Sequence, residues 1–409
     1  MIGVGLLGFG TVGGGVYQIL KSKKDYIKRK LGEDIVIKKI LVTDINKKRK
    51  YCVDKFLLTD KFEDIVNDSS IHVVVELIGG EEPSFSYIKA AIKNKKHIVT
   101  ANKLIMAKHG EEIFRLAEEN GVKIYYEGSV GGGIPIIKTL NESLVANKIE
   151  KIYGILNGTT NYILTQMTEK KMDFKEALKE AQDLGYAESD PYFDVSGLDS
   201  AYKISILSSL SYETFIDVDS LYVEGVEKIE LEDIEIADEL GYVIKLLAIG
   251  KRLEDESLDI RVHPTFVPKN NPISRINGVY NVVQIHGDNV GEIMMYGQGA
   301  GEMPTASAVV ADIIEVAKNI KYNISNGLIN NLQDHRLISI EEVENPFYIR
   351  LMVNDKPGVF AKIAKVLGDN NVSIASVIQK HRLTPVVPIF LRTHPVVIEI
   401  KNIIRVEEL

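Results

Sequence analysis

The first twenty residues restrict the fold more than any other part of the chain. An apolar run, IGVGLL, passes directly into Gly8-Phe9-Gly10-Thr11-Val12-Gly13, and an apolar-periodic stretch, GGVYQIL, follows without a break. A strand that turns through glycines into a helix is the opening of a βαβ unit, and βαβ units build parallel sheets with right-handed crossovers. The G-x-G-x-x-G spacing at that turn also has a chemical reading. Glycines let the backbone approach a pyrophosphate, and the helix N-terminus offers it free N–H groups and the positive end of the helix dipole. The alternative, a tight turn with no ligand, would not need the strand before and the helix after.

The alternation continues. EDIVIKKILVTD and IHVVVELIGG read as further strands, followed by a helix over 84–94, a strand HIVTA, a helix over 110–119 and a strand VKIYYEGS. After VGGGIPIIKTL the alternation stops, and 150–300 hold a strand-like EKIYGIL, several helices and a hairpin YNVVQIHGDNVGEIMMYG. The spacing predicts a Rossmann-type parallel domain from residues 1–134 with a returning helix in 300–322, an α+β catalytic and dimerisation domain over 135–299, a polar linker over 323–345, and a small β-α-β unit over 346–409. A chain of 409 residues accommodates two or three such domains.

A net charge of −8 argues against nucleic acid or an anionic membrane as partner, because both need a broad basic face. The single cysteine, Cys52, allows no internal disulfide, and eight histidines without metal-ligand spacing make a transition-metal site an unlikely use of them. No apolar run is long enough to span a bilayer and no signal-peptide pattern opens the chain, so the cytoplasm is expected.

Residues 185–204, GYAESDPYFDVSGLDSAYKI, gather Glu188, Asp190, Asp194 and Asp199 ahead of one cation, Lys203. Such a cluster has a plain reading: Ser196 caps a helix and Asp199 with Lys203 makes an exposed i, i+4 pair. It also has a chemical one. Oxidising an alcohol with a nicotinamide needs a base for the hydroxyl proton, and a lysine serves when desolvation and a neighbouring cation bring its pKa toward the working pH. The second strand ends at Thr43-Asp44, where an acid would hold ribose hydroxyls, while Lys47, Lys48 and Arg49 just beyond suit a 2′-phosphate. NAD and NADP both stay open.

The ordered set GFGTVG, ELIGG, VTANK, EGSVGGGIPII, GILNGTTNYIL, GYAESDP, GLDSAYK and GQGAGEMPTASAVVAD resembles homoserine dehydrogenase of the single-function type. No kinase-like segment stands before the glycine loop, as it would in the fused form. The resemblance implies an NAD(P)-dependent interconversion of L-homoserine and L-aspartate 4-semialdehyde, leading to threonine and methionine, by a homodimer. It implies that Lys203 is the general acid/base with Asp199 as its partner, and that Lys103 is a second lysine near the nicotinamide. Glu188 would hold the substrate ammonium, with Asp190, Asp194 and Thr160 nearby. Cofactor contacts would come from the loop residues Gly8 to Gly13 and from Thr43, Asp44, Gly79, Thr100, Lys103 and Gly301. Oxygens of Glu127, Val130, Gly132 and Ile134 would wrap a monovalent cation such as Na+; a hinge is the other reading of that segment. Two rivals remain at this level: another amino-acid dehydrogenase on the same scaffold, and a non-catalytic NAD(P)-binding regulator.

FYIRLMVNDKPGVFAKIAKVLGDNNVSIASV resembles the start of an ACT domain, a βαββαβ unit, with Asp355-Lys356-Pro357-Gly358 as its turn. After VVPIFLRTH the chain passes straight to PVVIEIKNIIRVEEL, so the second helix is missing. Losing one of two helices from a sheet face predicts bare apolar strand surface there, or a partner chain covering it.

Overall fold

Six parallel strands, β1 (Ile2–Leu7), β2 (Ile35–Leu41), β3 (Leu58–Thr59), β4 (Val73–Glu76), β5 (His97–Thr100) and β6 (Ile124–Tyr125), form a sheet in the order β3-β2-β1-β4-β5-β6. β1 and β4 are buried at every residue, as central strands covered on both faces must be. β1 pairs with β2 on one side and β4 on the other, so the chain reverses its direction of growth between β1 and β4. Ligands of such sheets bind outside the carboxyl ends of the strands at that switch. Here it brings the glycine loop beside Leu77, whose N–H donates to the Leu7 carbonyl at 2.8 Å.

The computed structural model describes residues 1–324, 333–379, 385–397 and 404–407. It divides into two units: Met1–Ile149 with Tyr202–Ser220 and Ile285–Asp334, and Glu150–Ala201 with Leu221–Gln284 and His335–Leu409. The core of the first holds Val4, Leu6, Val73 and Val75 against Val309, Ile313 and Val316 of the Glu302–Tyr322 helix. Each such fully buried aliphatic side chain contributes about 1.5–3 kcal/mol relative to exposure. Close helix packing adds to this: a Cβ on Gly15 of the Thr11–Ser22 helix would lie 2.9 Å from Ala306 Cβ.

The strands that lie wholly or mostly in the second unit are β7 (Ile149–Ile155), β8 (Tyr222–Val223), β9 (Tyr242–Arg252), β10 (Leu258–Pro268) and β11 (Tyr280–Gly287). β12 (Gly291–Gln298) follows in the first unit, and β13 (Phe347–Asn354), β14 (Ile374–Gln379), β15 (Val386–Thr393) and β16 (Ile404–Val406) complete the second. Within that unit the sheet runs β11-β7-β9-β10-β16-β13-β15-β14, with β8 parallel to β10.

Several expectations change. The helix expected over 110–119 begins at Lys103, because Asn102 caps it through Ile105 N and the helix runs through Gly110 without interruption. Residues 202–220 and 285–299, read as part of one 135–299 domain, group with the six-stranded sheet, and 346–409 shares a unit with β9 and β10. The expected linker falls partly outside the described residues. Among the described residues no second helix follows β15, and only ten positions, 394–403, separate it from β16. The predicted bare face is covered in part: Val377, opposite Leu391 on that face, is 40% exposed. Phe347, Ile349, Ile389 and Leu391 are buried, with Ile363, Leu367 and Val396 packed against them. The strand edge is closed, since β16 pairs antiparallel with β13 and parallel with β10. On the opposite face Tyr348 stacks on Phe266 at 4.6 Å and donates its hydroxyl to Asp233 at 2.8 Å.

Candidate active site

The glycine loop has the shape its spacing implies. Gly8 has φ +99°, and a Cβ there would meet the Leu77 carbonyl at 2.8 Å; one on Gly13 would meet the Gly8 carbonyl at 2.4 Å. Gly10 differs, because a Cβ on it would meet nothing within 4 Å. It is the exposed cap residue of the Thr11–Ser22 helix, so the space it leaves lies at a helix N-terminus that has no side-chain cap. Gly8 and Gly13 make the turn, and Gly10 leaves the space before the helix N-terminus open. Phe9 and Val12 are half-buried beside it and Thr11 is exposed. Gly301, at φ +127°, stands at the start of the Glu302–Tyr322 helix in the same unit.

Beyond β2, Thr43 and Asp44 are exposed, and Asp44 Oδ1 accepts from Asn46 N at 2.8 Å. Arg49 folds back over this turn. Its guanidinium donates to the carbonyls of Asp44, Ile45 (3.2 Å) and Lys47 (2.7 Å).

The carboxyl ends of β4 and β5 are organised by a residue the sequence reading did not single out. Glu76 is fully buried; its Oε1 accepts from Ile78 N (2.8 Å) and Gly79 N (3.2 Å), and its Oε2 from the Thr100 hydroxyl (2.8 Å). Thr100 Oγ1 in turn accepts from Asn102 N, and Asn102 Nδ2 donates to the Gly80 carbonyl at 2.7 Å. This network sets Lys103 as the first residue of its helix, a position where the dipole disfavours a cation. An acid ending an otherwise apolar strand was the available signal for Glu76.

Asp199 and Lys203 lie one turn apart on the Leu198–Ser211 helix. They are 2% and 7% exposed, so the solvated surface pair is the wrong reading. The expected Ser196 cap is absent, and its hydroxyl is buried without a hydrogen-bond partner. Asp199 is held from another direction. Asn157, at the cap of the Gly158–Lys170 helix, accepts from Thr160 N through Oδ1 at 2.8 Å, and its Nδ2 donates to Asp194 Oδ1 at 2.7 Å and Asp199 Oδ2 at 2.8 Å. Thr160 donates its hydroxyl to the same Oδ1 at 2.9 Å and is buried. Glu188 and Asp190 are exposed. The Glu188 carbonyl accepts from Gln182 at 3.1 Å, and Asp190 Oδ1 accepts from Tyr192 N at 3.1 Å, so these contacts shape the loop.

Glu127 is buried, but its carboxylate caps the short helix beginning at Ile136, accepting from Ile137 N (2.9 Å) and Lys138 N (2.8 Å). Its own N–H donates to Asp312 at 2.9 Å, and burial followed by the charge of Glu127 pushes the Asp312 carboxyl well above its usual range. Gly131 and Gly132 follow with φ of +69° and +53°. Ile134 donates to the Gly131 carbonyl and Val130 is fully buried. No cluster of three or more His, Cys, Asp or Glu suited to a metal occurs among the described residues.

A doubly wound sheet with a glycine turn at its switch point, in a chain that also buries a carboxylate one helical turn before a lysine, is the equipment of a nicotinamide-dependent oxidoreductase. Family models match in succession: the homoserine dehydrogenase NAD-binding domain over 8–127, homoserine dehydrogenase over 135–314 and the ACT domain over 347–400. The chain belongs to the homoserine dehydrogenase family. It is 46% identical to the enzyme of Synechocystis, over 92% of this chain and 88% of that one, and 42% identical to that of Bacillus subtilis, over 92% and 87%. Among solved structures, a homoserine dehydrogenase from Thiobacillus denitrificans aligns over 99% of this chain and 98% of its own, with TM-score 0.91 and 40% identity. A hyperthermophilic archaeal homoserine dehydrogenase in complex with NADPH aligns over 80% and 99%, with TM-score 0.64 and 26% identity. The reaction is the NAD(P)-dependent interconversion of L-homoserine and L-aspartate 4-semialdehyde, in the biosynthesis of threonine and methionine. The reading as a non-catalytic regulator falls with it. No helix among the described residues is long and apolar enough to cross a membrane.

Proposed function

We propose that Lys203 carries the proton of this reaction and that Asp199 directs it. The observation that supports this most is the burial of both side chains one turn apart on a helix, with Asp199 tied to Asn157. A bound nicotinamide supplies the hydride acceptor for the alcohol and the donor for the aldehyde. Lys203 takes the hydroxyl proton of homoserine in oxidation and returns it to the carbonyl oxygen in reduction. Asp199 fixes the direction of the Lys203 ammonium, and Asn157 holds Asp199 from the far side. Lys103, presented by the Glu76–Thr100–Asn102 network, adds a second positive charge for the oxygen on which negative charge develops. Glu188 holds the substrate ammonium, with Asp194, Asp190 and Thr160 shaping the pocket. Lys203→Ala tests the assignment: kcat should fall by about 10²- to 10⁴-fold while the Kd for NADPH is unchanged. Near-normal turnover would overturn it.

The cofactor is held by Gly8, Phe9, Gly10, Thr11, Val12 and Gly13, with Thr43, Asp44, Gly79, Thr100 and Gly301 completing its contacts. NADP is the preferred form in this reading. Arg49 is placed beside Asp44 by three carbonyls, and among the described residues no carboxylate pairs with it. A monovalent cation, Na+ in particular, is bound by main-chain oxygens of Glu127, Val130, Gly132 and Ile134, because the Glu127 carboxylate is spent on two amides. Rates in sodium against choline chloride at equal ionic strength test it. The enzyme works as a cytoplasmic homodimer. β12 supports the dimer, since it leaves Tyr296 and Met294 exposed on an alternating strand, and light scattering gives the mass.

A further inference from the structure

Lys245 sits on β9 in the second unit, 3% exposed, and the oxygens that its ammonium donates to are all uncharged. All three of its protons have acceptors: Asn161 Oδ1 at 3.1 Å, the Ile276 carbonyl at 2.7 Å and Asn277 Oδ1 at 3.0 Å. Burial lowers its pKa to about 8, opposed by the charge of Glu169. A buried cation without an ion pair is costly, and an apolar residue of the same length would usually serve a strand interior better. The cost points to what the ammonium holds together.

Its acceptors belong to two segments, the first turn of the Gly158–Lys170 helix and the loop 276–280. The same segments are joined repeatedly. Asn161 Nδ2 donates to the carbonyls of Ile276 and Tyr280, both at 3.1 Å. Thr165 donates to the Asn161 carbonyl at 2.6 Å and accepts from Gly278 N at 3.0 Å. The backbones touch here as well, for a Cβ on Gly158 would lie 2.7 Å from the Val279 carbonyl. The residue that this helix end presents is Asn157, four positions before Asn161, with both amide protons on Asp194 and Asp199.

We infer that Lys245 is a positioning residue for the reaction: it locks the first turn of the Gly158–Lys170 helix to the loop 276–280, and so aims the Asn157 amide at Asp199 and Asp194. It touches neither substrate nor cofactor. This rests on the proposed role of Asp199 and Lys203. A displacement of the helix end by an ångström moves Asp199 from its partner, and misplacements of that size cost up to about 100-fold in rate.

The test is Lys245→Met in the full-length enzyme. Its kcat for homoserine should fall about 10- to 100-fold, with the KM for homoserine and the Kd for NADPH little changed. The isotope effect on kcat for aldehyde reduction with NADPH deuterated at the transferred position should rise, because the chemical step becomes slower. A purely structural lysine would lower the melting temperature and leave kcat and the isotope effect of the folded enzyme as they were, which would overturn the inference. If Lys245→Met does not fold, Thr165→Val removes another joint of the same pin and should move kcat and the isotope effect in the same direction; unchanged values there would also overturn it. Lys203→Ala separates the two layers. Normal turnover in that variant sinks the proton-transfer assignment itself, whereas a dead Lys203→Ala beside a fully active Lys245→Met sinks only the positioning role.

Discussion

The side-chain amide of Asn157 donates to Asp199 across 2.8 Å, and its second proton goes to Asp194 at 2.7 Å. With Oδ1 accepting from both the amide and the hydroxyl of Thr160, every polar group of that side chain is engaged. One asparagine is therefore a helix cap and a clamp on two carboxylates. The two duties can be separated. Asn157→Asp keeps a good cap but sets a third carboxylate against the other two, so it should abolish most activity with a modest change in melting temperature. Asn157→Ala loses the cap as well, about 1 kcal/mol. Activity in Asn157→Asp close to wild type would mean that the clamp is not used.

Glu188 is exposed, so its effect should appear in binding rather than folding. Glu188→Gln is expected to raise the KM for homoserine with the melting temperature and the NADPH Kd unaltered. Steady-state kinetics with varied homoserine decide this, and an unchanged KM would transfer the ammonium contact to Asp194 or Asp190.

Arg49→Ala should raise the KM for NADP and leave that for NAD nearly untouched, because only NADP carries the 2′-phosphate. Arg49 donates to carbonyls of its own turn, so a parallel rise in both constants would mean that the substitution merely loosened the Asp44–Lys47 loop.

At the C-terminal strand, Glu407 is buried between Lys251 and Arg261, the latter at 3.1 Å and 1% exposed at its side chain. Removing one partner of a buried pair leaves the other charge uncompensated, at a cost of about 3–5 kcal/mol. Glu407→Ala should therefore shift the urea midpoint strongly, and truncation before β16 should be at least as severe. Asp259, 3.1 Å from Arg261, is placed to soften the loss; a shift near zero would show that it does.

Acid should weaken the nucleotide-binding sheet through His97. Burial, then Lys123, then His72 lower its pKa from 6.5 to about 4, and its Nδ1 accepts from Lys123 N at 3.0 Å. The folded state resists protonation while the unfolded chain does not, so this stability is complete above pH 6.5 and is lost as pH falls toward 4. The loss should be of the order of 2–3 kcal/mol. Urea midpoints between pH 7 and pH 4.5 should drop in wild type and drop less in His97→Asn, where no imidazole titrates.

How much of this was legible beforehand varied with the range of the interaction. The glycine loop, the alternating strands and the placing of Asp199 one turn before Lys203 follow from neighbours within one or two turns, where spacing alone dictates geometry. The burial of Asp199 was not legible, because i, i+4 spacing is the same on an exposed face as on a packed one. Glu76, Asn102 and Lys245 were passed over, since each acts through partners in other segments.

The missing ACT helix marks the boundary between the two kinds of information. From the residues alone a sheet face short of one helix reads as bare, and among the described residues no second helix follows β15. Tertiary structure limited that consequence by setting β16 between β13 and β10 and by packing Val396 with Phe347 and Ile349, while Val377 stays 40% exposed. Local propensity and motif spacing determined the elements and the chemistry that this chain carries. Which strand edges meet, and which charges are shut away from water, was decided by long-range burial, because apolar area is removed from water wherever a surface fits, however far away in sequence it lies.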